Sequence, residues 1–123
     1  MARLITDYEV SCYGYFVVAM DKRTSKEDVE DEAFLACSTL YKNDSGVTVI
    51  ERNVTSFRTE EYFTFAEVTL DLRVKVSGSY DYEECYPEAE GVAEDVDCPV
   101  GVSLIECQAY DYIETDHYKM WDY

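Results

Sequence analysis

Tyr8-Glu9-Val10-Ser11-Cys12-Tyr13-Gly14-Tyr15-Phe16-Val17-Val18-Ala19-Met20 alternates along its whole length. Val10, Cys12, Gly14, Phe16, Val18 and Met20 fall on one side. Glu9, Ser11, Tyr13, Tyr15, Val17 and Ala19 fall on the other. A period of two sustained that far predicts a long strand with one buried face. Downstream, Thr24-Ser25-Lys26-Glu27 reads as a capping box that opens a helix. Val29, Ala33, Ala36, Cys37 and Leu40 then recur as one amphipathic stripe. Asn43-Asp44-Ser45-Gly46 marks a turn, and Val47-Thr48-Val49-Ile50-Glu51 opens a second, β-branched strand.

The order then repeats. Ala66, Val68, Leu70, Leu72, Val74 and Val76 alternate with Glu67, Thr69, Asp71, Arg73 and Lys75, and Gly78 is expected to break that strand. Cys85, Ala89, Val92, Ala93 and Val96 carry the first helix's stripe again, each 56 positions on. Because proline suits only a first helical turn, regular helix is expected from near Pro87 to Cys98-Pro99. Residues 101–106 parallel residues 46–51 at an offset of 55.

The whole chain, 1–123, therefore reads as a single domain with pseudo-repeats over 8–58 and 61–114 and an acidic aromatic C-terminal tail over 110–123. Strand, helix, strand, written twice, predicts an α+β fold. It is the ferredoxin-like βαββαβ sandwich: a four-stranded antiparallel sheet, strands one and three central, both helices on one face.

Composition narrows function by exclusion. The chain has 27 Asp and Glu against 10 Lys and Arg, a net charge of -17, yet 47 % of it is hydrophobic. That much apolar surface argues for a folded core and against an acidic disordered segment. Charge of this sign repels phosphate backbones and anionic membranes, so direct binding to nucleic acid or to a membrane is not expected. No apolar run is long enough to span a bilayer, and Asp7 interrupts any N-terminal signal core, so the expected location is cytoplasmic.

Catalytic constellations are missing from the pattern. The one histidine, His117, has no nearby nucleophile, and neither a phosphate loop nor a nucleophile elbow occurs. No catalytic residue, metal site or cofactor is assigned. Cys12, Cys37, Cys85, Cys98 and Cys107 contain no Cys-x-x-Cys and are expected to be reduced packing residues, with a Cys98–Cys107 link as the alternative.

Acidity is uneven. Residues 79–123 hold 13 acids against one base, Lys119. Glu88, Glu90, Glu94, Asp95 and Asp97 lie off the second helix's stripe, Glu83 and Glu84 precede that helix, and Asp111, Glu114 and Asp116 interleave with Tyr112 and Trp121. So much like charge destabilises a compact domain and exceeds what solubility needs, which points to use in binding. Those twelve residues are the candidate partner-binding set, with Tyr112 and Trp121 as anchors.

In size, charge and lack of catalytic motifs the chain looks like the acidic inhibitors that phages and mobile elements use against restriction or CRISPR nucleases. That resemblance implies a DNA mimic, acting in the host cytoplasm on a basic nucleic-acid-binding protein or nuclease complex. The alternative is an assembly module that pairs as a homodimer or hetero-oligomer through Tyr13, Tyr15 and Val17 on the open sheet face.

Overall fold

The structure is a computed structural model and describes residues 2–20, 24–44, 46–79 and 82–121. The elements are β1 (Ala2–Met20), α1 (Val29–Ala36), β2 (Val47–Thr59), β3 (Thr64–Ser79), α2 (Tyr82–Glu94) and β4 (Val102–Trp121). They form an α+β fold whose single open sheet has the order β2-β3-β1-β4, with every neighbouring pair antiparallel. β1 and β3 are the central strands, as expected. No described helix is long and apolar enough to cross a membrane.

The alternation in β1 decides where the core lies. Val10, Cys12, Phe16 and Val18 are buried with Ala66, Val68, Leu70, Leu72 and Val74 of β3. Both helices cover this one face, through Val29 and Ala33 of α1 with Cys37 and Leu40 in the turns after it, and Cys85, Ala89 and Ala93 of α2. The sheet supplies most of the bulky groups and the helices mainly small ones, which suits close packing of the helices on the sheet. Phe16 is fully buried, and its ring takes the space a side chain at position 14 would need. A Cβ on Gly14 would stand 2.8 Å from its Cε2. The Phe16 ring meets Tyr41 edge-on at 6.5 Å, and the Tyr41 hydroxyl donates to the Ala93 carbonyl at 2.6 Å. That bond joins the chain leaving α1 to the last turn of α2. It holds Tyr41 at φ 61, a left-handed conformation that costs a side-chain-bearing residue roughly 1 kcal/mol.

Four expectations are corrected. The Thr24–Glu27 capping box does not form: Thr24 is buried, its amide donating to Thr64 Oγ1 at 2.9 Å. The helix begins at Val29 behind Asp28, which makes no side-chain cap. α2 begins at Tyr82, with Pro87 inside it, not near Pro87. Proline there forfeits one helical amide, and burial of Cys85 with half-burial of Tyr86 holds the early turn in place. Gly78 does not end β3. At φ 76 it forms a bulge whose amide donates to Asp7 Oδ1 at 2.9 Å, and the strand continues to Ser79. Finally, the expected tail from 110 onward is the second half of β4, paired with β1 back to Ala2, while 122–123 lie outside the described residues. Within the helical stripes, Val92 is exposed rather than covered.

Both outer strands are bulged at five-residue intervals. Pairing skips Ile50 and Thr55 in β2, and Ile105, Tyr110 and Thr115 in β4. Ile50 and Ile105 stand 55 apart, as do Thr55 and Tyr110.

All five cysteines are free, so the Cys98–Cys107 link is not made. Cys107 instead accepts a hydrogen bond from the Cys12 thiol, which burial and that bond hold firmly protonated. Two measurements check the core. Phe16→Ala should lower unfolding free energy by about 3–5 kcal/mol in a denaturant titration. A thiol reagent should label Cys98 first in native protein and reach Cys12, Cys37, Cys85 and Cys107 only on unfolding, because only Cys98 is partly exposed.

Candidate acidic interface

The fold sorts the charge into layers. Residues 24–44, which contain α1, carry six acids and two lysines. Residues 82–98, which contain α2, carry seven acids and no base. The four strands together carry nine acids and six bases. Since both helices lie on one face of the sheet, most of the excess charge lies on that side. Arg73 pairs with Glu9 at 3.1 Å and Arg58 with Glu60 at 3.5 Å, and neither pair involves a helix.

The helix dipole accounts for only part of this placement. Glu83 and Glu84 in α2, and Glu30, Asp31 and Glu32 in α1, occupy first turns, where acids are favoured. Glu94, Asp95 and Asp97 stand at the opposite end of α2, where they are disfavoured, and neither helix has a base in its last turn. Local helix stability therefore does not explain them. Between the exits of α1 and α2 lies a polar cleft of about 590 Å³, lined by Thr39, Tyr41, Lys42, Asn43, Asp44, Asp95, Val96 and Asp97. It joins the acids of one helical unit to those of the other.

Of the twelve candidate residues, Glu83, Glu84, Glu88, Glu94, Asp95 and Asp97 are exposed on the helical layer. Glu90 is half-buried, and its Oε1 accepts the Ala109 amide at 3.1 Å, which ties α2 to the outer edge of β4. Glu90 thus has a structural task. Asp111 stands opposite Ser11 on the helix-free face, Asp116 opposite Asp7, and Glu114 opposite Tyr8, so the three do not extend one acidic surface. Tyr112 is half-buried, its ring edge-on to Tyr8 at 5.4 Å and to Tyr86 at 5.8 Å. It is a packing residue. Trp121 pairs with Ala2 in the sheet, and its side chain lies outside the described residues. The sequence reading missed Glu27, Asp28, Glu30, Asp31 and Asp44 as members of the same layer. The signal was present in the expected placement of both helices on one face. Among the described residues, no group of three or more His, Cys, Asp and Glu is arranged to hold a metal ion.

The opposite face has another character. Tyr13 donates to Gln108 Oε1 at 2.6 Å, Tyr110 to Asp71 Oδ1 at 2.8 Å, and Ser56 to Glu67 Oε2 at 2.6 Å. Tyr15 also donates to Glu67. The Ser56 and Tyr15 bonds hold the Glu67 carboxyl below its usual range. The same kind of bond, to Glu67 and to Asp71, raises Tyr15 and Tyr110. Arg58 lies over the Phe65 ring, 4.9 Å from its centroid.

In the core, burial pushes the Cys37 thiol up to about 11 and raises Tyr8 and Tyr41. Groups raised on folding stabilise the native state fully below their unfolded pKa and lose that contribution as pH climbs toward the folded value. Urea midpoints should therefore hold steady from neutral pH to about pH 9 and fall above it. A midpoint that rises above that pH would contradict this assignment. No family model, curated protein or solved structure matches this chain.

Proposed function

We propose that this chain is a non-catalytic, acidic protein-binding inhibitor that presents its helical layer as a mimic of nucleic-acid phosphates. Its target on this reading is a basic nucleic-acid-processing protein, such as a restriction or CRISPR nuclease. The observation that carries the reading is the concentration of acids on the two helices, including the acids at the unfavourable end of α2. A surface arranged that way repels nucleic acid and steers toward a Lys- and Arg-lined groove. Glu84 and Glu88 are exposed one turn, about 5.4 Å, apart on α2, and Asp95 is exposed just past its C-terminal end. Rigid spacing of that kind orders charges before binding and lowers the entropic cost of docking.

The sheet and crossovers fit the ferredoxin-like class within the α+β fold. Support comes from the central β1 and β3 and the shared face of both helices. An internal pseudo-duplication is supported by edge bulges that recur at an offset of 55 residues.

The test is displacement of a labelled DNA duplex from a panel of restriction and CRISPR nucleases. Wild-type protein should compete on at least one of them at about 50 mM salt and weaken steeply toward about 300 mM. The variant combining Glu84→Lys, Glu88→Lys and Asp95→Lys should compete at least ~10-fold less well at low salt, each reversal removing one charge contact and adding one repulsion. Glu90 is left in place because it holds the Ala109 amide. Equal competition by wild type and variant, or no displacement anywhere on the panel, would overturn the reading.

A further inference from the structure

At one end of the sheet, apolar side chains from three separate segments stand in the open around one groove. Leu35, Phe63 and Val100 are all exposed, Leu35 by 69 % and Val100 completely. They line a groove of about 590 Å³ together with Val18, Met20 and Ala36. That volume falls in the range of ordinary binding pockets. Exposed apolar residues scattered singly need no explanation, but a cluster rimmed by polar groups marks a contact site. Each of the three is held in place. Leu35 sits in the last turn of α1. Val100 lies in a tight turn that the Val102 amide closes by donating to the Pro99 carbonyl at 3.0 Å, with Gly101 at φ 86 as such a turn requires. The Ala19 amide donates to the Gly101 carbonyl at 2.7 Å and fastens that turn to β1. Phe63 closes the β2–β3 hairpin, its carbonyl accepting the Glu60 amide at 2.7 Å. Walls fixed in advance lower the entropic cost of filling the groove.

We propose that this groove receives a bulky apolar side chain carried on a basic segment of a partner protein. Charge selects the occupant. Within two residues of the lining positions the sequence has Asp21, Glu30, Asp31, Glu32 and Glu61 against Lys22. One residue further in each direction adds Glu60 and Asp97 against Arg23. Glu32 itself lines the groove, and Asp31 lies one turn before Leu35 on α1. An apolar centre within an acidic rim complements an apolar anchor flanked by Lys and Arg. A second copy would bring the same acidic rim and a further net charge of -17, and an anionic membrane is repelled for the same reason. Nor does the adjoining chain offer a filler, since Asp21, Lys22 and Arg23, which follow Met20, include no wholly apolar side chain. This contact does not depend on what the helical layer mimics, because an apolar anchor and not a row of charges supplies its specificity.

Fluorescence anisotropy of labelled peptides on the full chain tests this. One peptide has a Phe-Leu centre with Lys and Arg on both sides. A second keeps the basic flanks around a Ser-Gly centre, and a third keeps the Phe-Leu centre between Glu residues. The first should bind at least ~10-fold more tightly than either of the others at about 150 mM salt. Combining Leu35→Ser with Val100→Ser should remove that advantage and leave binding of the second peptide unchanged, since both side chains are exposed. Circular dichroism should show the variant folded. Val100→Ser alone, at a fully exposed position, serves if the pair does not fold, with an expected loss of at least ~3-fold. Asp31→Lys should also weaken the first peptide at least ~3-fold. Equal binding of the first and second peptides would assign the affinity to charge alone and overturn the proposal. Equal binding of the third, no saturable binding of the first below ~1 mM, or a folded groove variant that binds as wild type does would overturn it too. Sedimentation equilibrium covers the remaining occupant: a wild-type dimer that the groove variant abolishes would place a second copy in the groove and overturn the proposal. Duplex competition is read separately by the reversals at Glu84, Glu88 and Asp95, so either surface can fail without the other.

Discussion

Two-sided pairing of β1 is the constraint on which the molecule depends. The strand is bonded to β3 along one edge and to β4 along the other, in both cases over most of its length. A strand so enclosed has no free edge, and its alternating side chains leave one apolar face to be covered. Each crossover returns to the sheet on that face, with Ala33, Ala89 and Ala93 allowing the helices to seat over Phe16, Leu70 and Leu72. Removal of apolar area from water across a shared core is the dominant favourable term of such a fold. The short helices contribute little by themselves, since eight residues of α1 are too few for independent stability.

Much of this was legible in periodicity. Alternation in residues 8–20 and 66–76 identified the two central strands, and the helical stripes identified Val29, Ala33, Cys37, Leu40, Cys85, Ala89 and Ala93 as core. What escaped was set by tertiary partners. Pro87 implied a late helix start, but the packing of Cys85 and Tyr86 outweighs one lost amide bond. Gly78 implied a stop, yet the Asp7 carboxylate accepts its amide and the sheet continues. Residues beyond 110 lack a clean period because bulges at Tyr110 and Thr115 shift the alternation, which made a strand look like an irregular tail. The acids were read only in part: the sequence placed both helices on one face, but did not show that Asp111 falls on the other side. Nor could it show that Glu90 is engaged by a backbone amide or that Tyr112 is packed between Tyr8 and Tyr86.

The two faces of the sheet have separate physical economies. On the helical side, the apolar core is covered, apart from exposed Leu35 and Val92, and charge is pushed to the outer surface, where solvent screens it. On the bare side, hydroxyls and carboxylates are interlinked, so aromatic rings and ionised groups coexist within one plane. A domain built this way can commit one surface to long-range electrostatics and the other to close contact without either interfering with the core between them.

The bulges at Ile50, Thr55, Ile105, Tyr110 and Thr115 carry a consequence for the chain's behaviour at high concentration. A twenty-residue edge strand with regular spacing would be a template for fibril growth, each incoming strand finding a complete ladder of donors and acceptors. Here every fifth residue of the outer strands is out of phase, and Glu90 already occupies the Ala109 amide. No uniform run remains for a foreign strand to copy, so the length that makes β4 a good partner for β1 does not make it a seed for amyloid.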